Sequence, residues 1–143
     1  MRRYVIDASV AIKWFIPEIH SDAALRAWHI GHRLDIPAFL FLELGNVLTK
    51  KIRRQELSST ECDAILKELK HLPLHRHADD QLFPAAYRLA LDTHRSLYDC
   101  LYLALAEVVD GIMVTADQKF CTALANGPYA HRVLWVEDLP QST

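Results

Sequence analysis

Short runs of β-branched and aromatic residues alternate along this chain with longer stretches in which apolar residues return every three or four positions. Tyr4-Val5-Ile6, Leu34-Asp35-Ile36, Ile112-Met113-Val114-Thr115 and Val133-Leu134-Trp135-Val136 have strand length and composition. Between them the pattern predicts helices. One follows Asp7 through Phe15 to Pro17, one runs from Ser21 to about Gly31, and a long amphipathic one runs from Phe39 to Arg54. Ser58 and Ser59 stand before Glu61 as a capping box, opening a helix to about His71. Leu72-Pro73-Leu74 is expected as a short edge strand, and Asp79 or Asp80 as the cap of a helix reaching about His94. Leu97 to Val109 is apolar almost all round, with only Asp99 and Glu107 charged, so it should be buried on most sides until Gly111 stops it. A last helix begins at Asp117 and ends near Ala125. Short apolar strands alternating with helices predict an α/β fold whose parallel sheet is covered on both faces.

The composition changes this picture little. With 143 residues, 51% of them hydrophobic, and neither repeats nor a Gly/Pro-rich linker, a single domain over residues 1–143 is expected. A chain of this size buries roughly 70% of its unfolded surface, enough for a core without staples. Three cysteines without CxxC spacing, Cys62, Cys100 and Cys121, are expected as reduced residues of a cytoplasmic protein. Asp7 and Lys13 interrupt the apolar N-terminal stretch, so no leader is expected, and no run approaches the ~18 apolar residues of a membrane span. The formal net charge of -2 excludes a strongly basic nucleic-acid binder, so a polyanion would need a local basic patch.

Candidate chemistry lies in the acids. Asp7 and Asp117 follow two predicted strands, where open parallel sheets bind ligands. Each also suits a helix N-cap, since Asp there accepts a backbone N–H bond. Glu43 and Asp99 stand in apolar helical stretches, where an ionised carboxylate is costly unless paired or bound to a cation. Glu43 can still face solvent, because its helix face continues through Asn46, Lys50 and Arg54; Asp99 is less free to, with Tyr102, Leu103 and Ala106 on its side. Gathered together, the four acids would form an oxygen-rich cup for Mg²⁺ or Mn²⁺, suited to hydrolysis of a phosphate ester.

Val5-Ile6-Asp7-Ala8-Ser9, Pro37-Ala38 leading to Glu43-Leu44 with Asn46-Val47-Leu48, Tyr98-Asp99 through Ala106, and Val114-Thr115-Ala116-Asp117-Gln118-Lys119-Phe120 occur in this order. Together they resemble the PIN-domain ribonucleases, and within them the VapC-like toxins of bacterial type II toxin-antitoxin pairs, from about residue 4 to 136. The resemblance implies a three-layer α/β/α fold and metal-binding acids at Asp7, Glu43, Asp99 and Asp117. It implies supporting hydroxyls at Ser9 and Thr115 and a polar helix position at Asn46. It further implies Mg²⁺- or Mn²⁺-dependent cleavage of RNA to a 5'-phosphate and a 3'-hydroxyl, a cognate antitoxin as partner, and a homodimer. None of the acids is missing.

Other features have two readings each. Lys50, Lys51, Arg53 and Arg54 suit the negative end of a helix dipole, while Lys50 and Arg54 also continue the Glu43 face and could contact RNA phosphates. His71, His75 and His77 are expected in a solvated turn, because Pro73 breaks any shared helical face. Trp14, Phe15 and Trp28 are expected in the core or at a protein interface. Ser9 stands where an aspartate-nucleophile phosphatase would carry a second acid, and no Gly-rich phosphate loop exists. The rival to an enzyme is a non-catalytic RNA-binding or protein-interaction module on the same fold.

Overall fold

The computed structural model describes residues 2–29 and 31–141. The apolar runs become five parallel strands, β1 (Arg2–Ile6), β2 (His32–Pro37), β3 (His75–His77), β4 (Ile112–Thr115) and β5 (Val133–Trp135), in the spatial order β3-β2-β1-β4-β5. The chain steps outward from β1 to β3, then crosses back to place β4 on the other side of β1. The strand order therefore switches between β1 and β4, where the crevice beyond the carboxyl ends opens.

Tyr4, Val5 and Ile6 are all fully buried although their side chains alternate between faces, so the sheet is covered on both sides as a three-layer α/β/α fold. The helices are α1 (Ala8–Ala11), α2 (Ser21–Leu25), α3 (Phe39–Arg53), α4 (Ser59–His71), α5 (Asp79–Thr93), α6 (Leu97–Val108) and α7 (Gln118–Leu124). Every residue of α6 from Cys100 to Ala106 is buried, and the helix packs on β1, β2 and β4 with α5 outside it. Each fully buried Leu of that run contributes about 1.5–3 kcal/mol, so the middle of α6 is held by burial while Tyr98, Glu107 and Val108 near its ends stay exposed. Gly111 between α6 and β4 admits no side chain, because a Cβ would meet the Arg3 carbonyl oxygen at 2.6 Å. No helix among the described residues is long and apolar enough to cross a membrane.

Five expectations need correction. The helix after Asp7 tightens into a 3-10 turn at Ile12–Trp14, and the one from Ser21 gives way to another at Arg26–Trp28 instead of reaching Gly31. Asp79 does not cap α5; its Oδ1 accepts the Phe39 N–H at 3.0 Å and joins the starts of α3 and α5. The edge strand is His75–His77, not Leu72–Leu74, because Pro73 lacks a ladder donor and β2 pairs from Asp35↔His75 onward. The histidines accordingly leave the solvated turn: His71 ends α4, while His75 and His77 lie on β3.

His77 also reveals a charge cluster unmarked in the hydrophobic pattern. Asp35 on β2 is completely buried and accepts bonds from His77 Nε2 (2.8 Å), Arg3 (3.2 and 3.4 Å) and Arg33 (3.5 Å). Burial pushes its carboxyl up, but the bonds from Arg3 and His77 and the Arg3 and Arg33 charges outweigh it and hold the carboxyl below its usual range. The cluster ties β1, β2 and β3 together.

Candidate active site

The turns after β1 and β4 carry the first two acids. Asp7 N–H still bonds to the Val114 carbonyl at 3.4 Å, so the residue ends the β1 ladder, and its Oδ1 accepts the Val10 N–H at 3.1 Å, capping α1. Asp117 caps α7 through its Oδ1 and the Phe120 N–H at 3.2 Å. Both acids are thus N-caps, and both stand at the strand switch. Capping employs one carboxylate oxygen and leaves room for a second role.

Ser9 and Thr115 lace these turns together. The Ser9 hydroxyl donates to Asp7 Oδ1 at 2.6 Å, accepts the Ala116 N–H at 2.9 Å, and lies 3.4 Å from the Thr115 hydroxyl. Thr115 Oγ1 accepts the Asp117 N–H at 3.1 Å. The two hydroxyls therefore fix both acid-bearing turns relative to each other.

Helices bring the other two acids within electrostatic reach of these turns. Ser96 caps α6 and accepts the Asp99 N–H at 3.1 Å, setting half-buried Asp99 in the first turn. Glu43 is half-buried on α3, and its Oε1 accepts the Tyr102 hydroxyl of α6 at 2.6 Å. Tyr102 is 1% exposed and was read from the sequence only as an apolar neighbour of Asp99. The signal for its role was available: a phenol buried beside carboxylates must find a hydrogen-bond partner.

The four acids form a chain of mutual repulsion. Burial raises the Asp7 carboxyl to about 7 against the bonds from Ser9, Thr115 and Val10, and the Glu43 charge adds to the rise. Glu43 is raised by burial and by Asp99, opposed by Tyr102. Asp99 is raised by burial and by Asp117, opposed by Ser96 and by Arg95, a cation that the motif reading did not single out. Asp117 is exposed at the rim.

The basic residues lie further out. Asn46, Lys50 and Arg54 are exposed along the α3 face that carries Glu43; the Asn46 side chain bonds to none of the four acids. Lys51 pairs with Glu56 and Arg53 contacts Thr49, whereas Lys50 and Arg54 form no ion pair among the described residues. Trp14 and Trp28 are half-buried with rings 4.8 Å apart, and the Trp14 indole donates to the Ala24 carbonyl, which makes them part of the packing around α2.

The donor set suits a hard divalent cation. It consists of carboxylates and hydroxyls, and the nearby Cys121 thiol is pushed up to about 11 by burial and by Asp117 and Asp7, away from a metal-binding thiolate. Among the described residues, no three His, Cys, Asp or Glu side chains converge closely enough to grip one ion directly. Mg²⁺ tolerates such spacing, because it takes one or two carboxylates directly and keeps several waters.

An acid pair at the switch point of a five-stranded parallel sheet, joined by two helix-borne acids, defines a class. Residues 4–123 match the PIN domain family, and the chain belongs to it. It is 35% identical over 124 residues, 82% of this chain and 91% of the relative, to Ribonuclease VapC3 of Pyrobaculum aerophilum. To Ribonuclease VapC3 of Mycobacterium tuberculosis it is 30% identical over 129 residues, 90% of each chain. Among solved structures, PAE2754 from Pyrobaculum aerophilum superposes with a TM-score of 0.70 at 23% identity, over 96% of this chain and 86% of that one. VapBC2 from Rickettsia felis, bound to a DNA fragment from its promoter, superposes with a TM-score of 0.63 at 11% identity, over 93% and 98%. These structural likenesses concern the fold.

Proposed function

We propose that the chain is a Mg²⁺- or Mn²⁺-dependent endoribonuclease acting in the cytoplasm, the toxin of a toxin-antitoxin pair, with a cognate antitoxin and a second copy of itself as protein partners. The observation that carries this reading is the buried carboxylate of Asp7 at the strand switch, repelled by Glu43 within a chain of acids and itself faced by no cation among the described residues. The names of the two VapC ribonuclease relatives support it.

Asp7, Glu43, Asp99 and Asp117 would hold the metal, which when bound supplies Lewis acidity, lowers the pKa of water and offsets phosphate charge. Ser9 keeps the Asp7 carboxylate oriented by a 2.6 Å bond, and Thr115 holds the Asp117 turn. Lys50 and Arg54, spaced so as to share the Glu43 face and without ion pairs among the described residues, would contact the RNA backbone. Attack of water on that bond leaves a 5'-phosphate and a 3'-hydroxyl.

Incubation of single-stranded RNA with the protein tests the reading. Cleavage is expected with Mg²⁺ or Mn²⁺, is abolished by EDTA, and falls by ~100-fold or more in Asp7→Asn, at or beyond the top of the range for altered metal surroundings. RNA retained but never shortened would establish the non-catalytic module instead. Cleavage by metal-free protein would overturn the metal reading.

A further inference from the structure

Among the described residues, the bond from Tyr102 to Glu43 is the one side-chain hydrogen bond between α3 and α6, the helices that carry Glu43 and Asp99. Among the described residues Glu43 accepts no other side-chain hydrogen bond, so the phenol alone decides how the carboxylate is turned. Tyr102 has little freedom of its own: it is 1% exposed and lies on α6 between Leu101 and Leu103, both buried. Its position three residues after Asp99 puts it on the Asp99 side of the helix. Burial and the Glu43 charge raise the phenol well above its usual range, so it remains a proton donor.

We propose that Tyr102 is a positioning residue of the site: its hydroxyl holds Glu43 Oε1 and leaves the other carboxylate oxygen for a divalent cation, coupling α3 to α6. This rests on the metal reading above. A carboxylate on a flexible glutamate chain must otherwise lose rotamer freedom when it takes up a ligand, and a rigid phenol removes that cost beforehand. Replacing Tyr102 should therefore weaken cation binding through Glu43 and through nothing else.

Calorimetric titration of Mn²⁺ into wild type, Tyr102→Phe, Glu43→Gln and the double variant makes the test. Tyr102→Phe is expected to lose about ten- to a hundredfold in Mn²⁺ affinity, the range for groups that orient metal ligands, yet to cost little further in the Glu43→Gln background. Unchanged affinity in Tyr102→Phe, or an equal loss in both backgrounds, would overturn the proposal while leaving the metal reading intact. A wild type that binds no Mn²⁺ would overturn both. Should Tyr102→Phe fail to fold, wild type carries the test. Mg²⁺ should then perturb its tyrosine absorption in a way absent from Glu43→Gln, and the lack of any perturbation would count against the proposal.

Discussion

Two acids lie buried at the sheet, and they are opposites. Asp35, on β2, is fully enclosed but faces Arg3, Arg33 and His77, and its carboxyl lies below the usual range. Asp7, just past β1, is 7% exposed but faces other acids, and its carboxyl rises to about 7. Burial raises both; the sign of the neighbours decides the outcome. Where the protein supplies its own counter-charge, a buried acid serves the fold. Where it supplies more negative charge, the acid costs stability, and that cost is the ground on which a cation is proposed there.

The sharpest way to break the comparison is to neutralise Asp35. Asp35→Asn removes the charge that the two arginines and His77 face and sets an amide N–H against Arg3 Nε, so it should cost about 2–4 kcal/mol, somewhat less than breaking a wholly buried ion pair because the arginines are about a third exposed. The urea midpoint measures this, and an unchanged midpoint would deny the cluster its role.

Acidity provides a second contrast. Asp7 ionises near pH 7 when folded but near 3.8 when unfolded, so between these values the folded chain keeps a proton that the unfolded chain has lost. Metal-free stability attributable to Asp7 therefore falls as pH rises through that window. Asp35 behaves in the reverse sense: its contribution is present above its unfolded pKa and disappears as pH falls through its lower folded value. The stability difference between wild type and Asp35→Asn should accordingly shrink in acid, while that between Asp7→Asn and wild type should grow from about pH 4 to pH 7.

A smaller effect is expected at Asp99. Asp99→Asn relieves repulsion with Glu43 and Asp117, worth on the order of 1 kcal/mol at this separation from solvent, so the metal-free variant should melt slightly above wild type. A variant that melts lower would mark Asp99 as a structural acceptor. Smallest of all, replacing Lys50 and Arg54 together by Ala should leave stability unmoved and flatten the salt dependence of RNA binding by about two phosphate contacts. An unaltered slope would return both residues to the helix-end role.

Much of this was legible from residue order. Strand ends at Asp7 and Asp117, the Ser58–Glu61 box and the nearly all-apolar α6 follow from local rules, because the physics that sets them acts within a few residues. The Asp35 cluster was not legible: it needs β1, β2 and β3 aligned, and Arg3 and His77 lie 32 and 42 residues from Asp35. Strand β3, His-Arg-His, lacks apolar character and exists through its pairing with β2. The need of a buried Tyr102 phenol for a partner was legible, but not which one, since Glu43 lies 59 residues away on another helix.

The central claim is that the Asp7 cluster is a cation site, and one set of thermal melts addresses it directly. Wild type and Asp7→Asn are melted near pH 8, each with EDTA and with excess Mg²⁺. Asn keeps the bonds from Ser9 and Val10 while removing the charge, so in EDTA the variant should be the more stable, by an amount on the order of 4 kcal/mol for a shift of about three pKa units. With Mg²⁺ only wild type should rise, as ligand binding to the native state requires, and the gap should narrow or reverse. A wild type already more stable than Asp7→Asn in EDTA, and indifferent to Mg²⁺, would contradict the account.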